Sequence, residues 1–147
     1  MDTDLSTEIN NKLAALTKED WERLADLYEA IINHQGDFSS MGGGEPVSEG
    51  VVTMGYVKLD PIVGEVTRFF SEKELIVPFD WSNWSEGDAL LKEPGEDRFE
   101  NINTVDVVKL MTAVIRADRT SDGALAELFD SGSARLLIKR LLDHRPA

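Results

Sequence analysis

Apolar residues recur at helical spacing along most of the chain. Leu5, Ile9, Leu13 and Leu16 step by three and four, which puts them on one face of a helix. Thr17-Lys-Glu-Asp20 then reads as a new helix start, with a hydroxyl to cap free amides and acids near the positive end of the dipole. The stripe that follows, Trp21, Leu24, Leu27, Tyr28, Ile31 and Ile32, predicts a second helix that stops by Gly36. Asp60-Pro61 opens a third, with Ile62, Val63, Val66, Phe69 and Phe70 as its buried face. Asn103 can cap the clearest pattern of all, Val107, Val108, Met111, Val114 and Ile115, which is broad enough for a central core helix. Leu125, Leu128 and Phe129 predict a helix around Gly123 to Asp130. Leu137, Ile138, Leu141 and Leu142 predict the last one, with Pro146 ending the order.

The remaining segments carry other signals. Residues 35–50 hold five glycines and a proline, the composition of a flexible loop. Val51–Val57 and Leu75–Phe79 are rich in β-branched residues and are candidates for short strands, together making at most one small ribbon. Ser85 to Leu91 reads as a capped helical turn before Pro94-Gly95 breaks it. The expectation is therefore a mainly α protein, a single compact bundle of about six helices over residues 1–147 with at most one short β-ribbon.

Composition agrees with one domain. The chain has 147 residues, 41% of them hydrophobic, and no cysteine, which excludes a disulfide scaffold, a thiolate zinc site and a cysteine nucleophile. Charge is the outlier: 28 acids against 15 bases give a net charge of -13. The imbalance lies in the first hundred residues, because residues 101–147 carry 6 acids and 7 bases. Duplex nucleic acid is repelled by such a chain. Solubility through self-repulsion, a docking face for a basic partner, mimicry of nucleic acid and adaptation to salt all remain open. The acidic start, Met1-Asp-Thr-Asp4, has neither the basic residues nor the apolar run of a secretory signal, and no stretch approaches the ~18 apolar residues of a membrane helix. A cytoplasmic location with no membrane partner is expected.

Motifs for known chemistries are scarce. The Gly42-Gly-Gly44 run leads into Glu45-Pro46 and lacks the lysine of a phosphate loop. The acids between Glu86 and Glu100 miss the ligand register of a calcium loop. His34 and His144 fall at predicted helix ends without neighbouring ligands, and no Gly-x-Ser-x-Gly elbow occurs. No catalytic residue, metal site or cofactor is expected. A helix-turn-helix reading of 121–143, with Arg135, Lys139 and Arg140 on phosphates, is opposed by the acidic remainder.

Two concentrations stand out. Asp80-Trp81-Ser-Asn-Trp84 puts two of three tryptophans beside an acid, either as the wall of an apolar pocket or as a closure of the bundle with Asp80 shaping a turn. Arg116, Asp118 and Arg119 make the second. The two arginines share a helical face and can grip one anion, or pair internally with Asp118, Asp122 or Asp80.

These two segments together resemble a bacterial domain-of-unknown-function family of small helical proteins, whose members pair a Phe-Asp-Trp-x-x-Trp segment with a Thr-x-x-Arg-x-x-Arg segment, from which this chain departs by one more residue between Thr112 and Arg116. The resemblance spans roughly residues 50–143 and sets Asp80, Trp81, Trp84, Thr112, Arg116, Asp118, Arg119 and Gly123 at motif positions, with Thr120 where an aromatic often follows. It implies a helical fold and no particular activity. The leading expectation is a non-enzymatic protein-interaction module, self-association included. Its rival is a small-ligand or enzyme site between Trp81/Trp84 and Arg116/Arg119, and an acidic nucleic-acid mimic comes third.

Overall fold

The chain opens on two helices, α1 (Asp2–Ala14) and α2 (Lys18–Ile32), that meet at Thr17. There the Thr17 hydroxyl accepts from the Asp20 amide at 3.1 Å and the Asp20 carboxylate accepts from the Thr17 amide at 2.9 Å. This reciprocal box satisfies amides that the first turn of a helix leaves unpaired. Of the expected α1 stripe, Ile9 is fully buried while Leu5, Leu13 and Leu16 pack partly buried against the core. The computed structural model describes residues 2–42, 46–48, 51–52, 56–92, 95, 97, 99–120 and 123–145, with side chains described except at 2–4, 41–42, 46–48, 51–52, 56–57 and 119–120. The expected end of order at Pro146 lies outside these residues.

A β-ribbon follows, and it differs from the expected one. β1 (Ser39–Gly42) pairs antiparallel with β4 (Tyr56–Leu59), and β2 (Pro46–Ser48) pairs with β3 (Val51–Val52). Pro46 meets Val52 in the frame set by Ser39 and Leu59, so the inner ladder nests in the outer one until a shift between Pro46 and Ser48. Residues 39–42 and 46–48 thus form strands inside the stretch that sequence composition marks as a loop. Leu75–Phe79 is not a strand. Its backbone is spent elsewhere: the Leu75 amide donates to the Phe70 carbonyl, and the Val77 amide donates to the Thr112 hydroxyl.

α3 (Pro61–Glu72) begins as its sequence predicts, with Pro61 in the first turn and the Asp60 carboxylate accepting from the Ile62 amide at 3.0 Å. α4 (Ser85–Lys92) is a helix where a capped turn was expected, which brings the described helices to seven. α5 (Thr104–Thr120) is capped by the Asn103 carboxamide, whose oxygen accepts from the Asp106 amide. α6 (Ala124–Asp130) and α7 (Ser133–Asp143) each follow a glycine with positive φ, Gly123 at 110° and Gly132 at 85°, turns that a residue with a Cβ adopts only under strain.

α5 is the hub, touching α1, α4, α6, α7 and the turn before α4. Val107, Val108, Leu110 and Met111 of α5 are fully buried together with Phe69 and Phe70 of α3 and Leu137 and Ile138 of α7. Each such side chain contributes about 1.5–3 kcal/mol when withdrawn from water. Thr112 is also fully buried, and its hydroxyl donates to the Leu75 carbonyl while accepting from the Val77 amide, both at 3.2 Å. Replacing it with the isosteric Thr112→Val strands two buried backbone groups. Chemical denaturation should therefore show a loss of about 1–3 kcal/mol, and an unchanged midpoint would contradict the role given to this hydroxyl.

The start of α2 is tied to the end of α3 by Lys73–Asp20 and Arg23–Glu72 ion pairs, each 2.8 Å. The hydrogen bond from Lys73, reinforced by the Thr17 amide, holds the Asp20 carboxyl below its ordinary value of 3.8. The unfolded chain consequently binds this proton more readily than the folded one. The stabilisation is present above about pH 4 and is lost as pH falls through the lowered folded value. Asp20→Asn keeps an oxygen for the Thr17 amide but removes the titration. Urea midpoints of the native chain and this variant should converge as pH drops from 7 to 3; a gap that stays constant would show that the pair adds nothing.

Candidate functional site

The site grows from the segment that Thr112 pins to α5. After Phe79 the chain makes a single 3-10 turn, Trp81–Asn83, shaped by Asp80: one carboxylate oxygen accepts from the Ser82 hydroxyl at 3.2 Å and the other from the Asn83 side-chain Nδ2 at 2.9 Å. The turn delivers Trp84 against Phe79, edge to face with ring centroids 5.5 Å apart. Lys109 of α5 completes the cluster, its ammonium 4.5 Å from the Trp84 ring centre and 5.1 Å from that of Phe79. Ring quadrupoles attract a cation at that range. Beneath the indole lies Gly87, which is buried; a Cβ there would run into Cε3 of Trp84 and come within 2.7 Å of Cδ2.

Trp81 and Trp84 form one wall of a hollow of about 690 Å³. α4 continues that wall with Asp88, Leu91 and Lys92, α5 supplies a floor of Leu110, Ala113, Val114 and Ala117, and α6 faces it with Ala124, Glu127 and Leu128. Alanine at 113, 117 and 124 leaves room over part of the floor and far wall. Asp88 and Lys92 pair at 2.9 Å on the rim, where the Asp88 carboxylate raises the Lys92 ammonium above its ordinary 10.5. The Ser131 hydroxyl, at the α6–α7 end, donates to the Leu128 carbonyl and lies 3.1 Å from that of Ser133. Among the described residues no histidine lines the hollow.

The residues singled out from sequence separate into two groups. Trp81 and Trp84 line the hollow, and Asp80 shapes the turn that carries them. Arg116 and Asp118 are not among its walls. Arg116 falls on the α5 face that carries Lys109 and Thr112, and among the described residues it has no hydrogen-bonded or ionic partner. Asp118 turns to the opposite flank, where it accepts from the Leu125 amide at 3.1 Å and so caps α6. The side chain of Arg119 and all of Asp122 lie outside the described residues. On α7, Arg140 donates to the Ile102 carbonyl at 2.7 Å and Lys139 pairs with Asp143. Lys109, Gly87 and the three alanines are site residues that sequence reasoning missed. The spacing of Ala113 and Ala117 on one helix face was the available sign.

Fold and site together define a class: a mainly helical domain with an aromatic-walled groove, in which no three His, Asp or Glu side chains gather as a metal site among the described residues. Within it, residues 16–146 match the model of the family of unknown function DUF6508, and the chain belongs to that family. The match covers more of the chain than the two motif segments. No curated protein matches the chain, and no solved structure does. No helix among the described residues is long and apolar enough to cross a membrane.

The wall around Trp84 can be tested directly. Gly87→Ala gains helix propensity but forces the indole away from α4, and overpacking of this kind costs about 1–3 kcal/mol. The variant should melt below the native chain and show altered tryptophan emission; a raised melting temperature with unchanged emission would refute the packing described for this pair.

Proposed function

We propose that this protein is a non-catalytic interaction module of the bacterial cytoplasm that holds an apolar segment of a partner protein in the groove between α4 and α6. The observation that carries this reading is the groove itself, about 690 Å³ of space with two indoles on one side and an alanine floor. Tryptophan is over-represented among residues that dominate binding energy, because a rigid ring buries a large area at little entropic cost. Trp84 is fixed by Phe79, Lys109 and Gly87, so it is ordered before any partner arrives. The scarcity of ionisable groups on the walls favours holding over chemistry. The partner includes a second copy of the chain.

The volume also falls within the range of small-ligand pockets, which favours a planar apolar molecule as a second reading. One pair of variants tests the groove. Trp81→Ala removes part of its indole wall and Ala113→Leu fills its floor. Each should retain the native circular dichroism. Capture from a bacterial lysate on the native chain, read against both variants, should show one retained protein that both lose; sedimentation should show the same loss if the native chain self-associates. An identical set of retained proteins on all three, with no change in mass, would remove the interaction reading.

A further inference from the structure

A second hollow, of about 380 Å³, lies on the other flank of α5 and shares no lining residue with the groove. Its α3 wall is a single stripe, Gly64, Thr67, Arg68 and Ser71, spaced so that all four project from one helix face. Ile76, Ile115 and Leu125 give it an aliphatic floor, and Asp118 stands on the side opposite α3.

Three features of this hollow call for a ligand. Gly64 lies inside a helix, where glycine is among the least favourable residues, yet its φ is not in the left-handed region and a Cβ built on it would meet nothing within 4 Å. Neither backbone conformation nor packing requires it; what the missing side chain does is leave the hollow open. Arg68 makes no hydrogen bond and no ion pair within 4 Å among the described residues; it acts on the nearby Glu72 carboxylate only at longer range, because that carboxylate is engaged by Arg23 at 2.8 Å. Asp118 is half-buried and oriented, because one of its oxygens holds the Leu125 amide. The second oxygen takes no hydrogen bond from a described residue. The Thr67 hydroxyl is turned away, donating to the Gly64 carbonyl at 2.9 Å, so the polar groups left for a ligand are the guanidinium, the Ser71 hydroxyl and the Asp118 oxygen.

We infer that this hollow binds a small zwitterion with an aliphatic body, its carboxylate on Arg68 and Ser71, its ammonium on Asp118, and its apolar part over Ile76, Ile115 and Leu125. Guanidinium suits a carboxylate because its planar fork offers two parallel donors. Both charged groups are partly solvated, so the contacts weaken as salt rises.

The probe is the dipeptide of two leucines with free termini, titrated at low salt into the full chain while backbone amide NMR signals are followed. Saturable shifts are expected in residues 64–71, at 115–118 and at 125. Acetylating the amino end or amidating the carboxyl end should each weaken binding about tenfold, since each removes one charge-assisted contact. Arg68→Gln should weaken the free and the acetylated dipeptide but leave the amidated one unchanged. Gly64→Leu puts a side chain into the hollow from a position where a Cβ meets nothing within 4 Å, so it should fold as the native chain does and lose the dipeptide. The inference is overturned by shifts that do not saturate, by equal binding of the blocked forms, by full binding to Gly64→Leu, or by inorganic phosphate displacing the dipeptide at equal affinity, which would reduce the site to an anion contact at Arg68.

Discussion

One buried hydroxyl decides where the aromatic segment lies. Thr112 is enclosed on α5 and holds both the Leu75 carbonyl and the Val77 amide, so the strap from Leu75 to Phe79 runs along the helix instead of joining a sheet. In a low-dielectric interior an unmet carbonyl or amide is costly, which makes the two bonds a constraint on register as well as a source of stability. Once the register is fixed, Phe79 and Trp84 fall beside Lys109, and the 3-10 turn places Trp81 across from α6. The groove is a consequence of that placement.

The helices were legible from the sequence because each one has to bury a stripe and most announce their first turn with a side chain that can cap it. Thr17, Asp60 and Asn103 do in space what their positions suggest. The ribbon was less legible. Its outer strand, Ser-Ser-Met-Gly at 39–42, has no β-branched or aromatic residue, and it is held by tertiary bonds: the Asp130 carboxylate accepts from the Phe38 amide at 2.6 Å and from the Ser39 hydroxyl, while Phe38 stacks on His34. The two bonds to Asp130 join residues about ninety positions apart in sequence. The strap 75–79 has strand composition but lacks a free strand edge, and β propensity describes fit to a pleated surface more than an intrinsic preference.

The two residue clusters illustrate what a linear reading omits. Trp84 is held on one flank of α5 by Phe79 and Lys109, with Trp81 lining the same groove, whereas Asp118 lies on the flank that faces α3. A helix turns 100° per residue, so Ala117 lines one hollow and Asp118 the other although they are adjacent. The charge distribution follows the same division. Floor and far wall of the groove come from residues 101–147, where acids and bases nearly balance, so the net charge of -13 is carried by the rest of the surface. In the proposed role, shape and apolar area would select what enters the groove, and the acidic surface would govern how a partner approaches.

α6 joins these features. At seven residues it is too short to persist alone in water, so its position depends on what holds its ends. Asp118 accepts the Leu125 amide at the first turn, and Asp130 at the last turn is bonded to the start of the ribbon. Between these anchors, Ala124 and Leu128 face the groove while Leu125 faces the second hollow. A displacement of this helix therefore changes both hollows at once. Occupancy at Asp118 bears directly on the N-terminal anchor, since the same carboxylate that would meet a ligand also holds α6 in place. The two sites are thus linked through one short element whose stability is almost entirely tertiary, and that linkage requires no change in the α3–α5–α7 core.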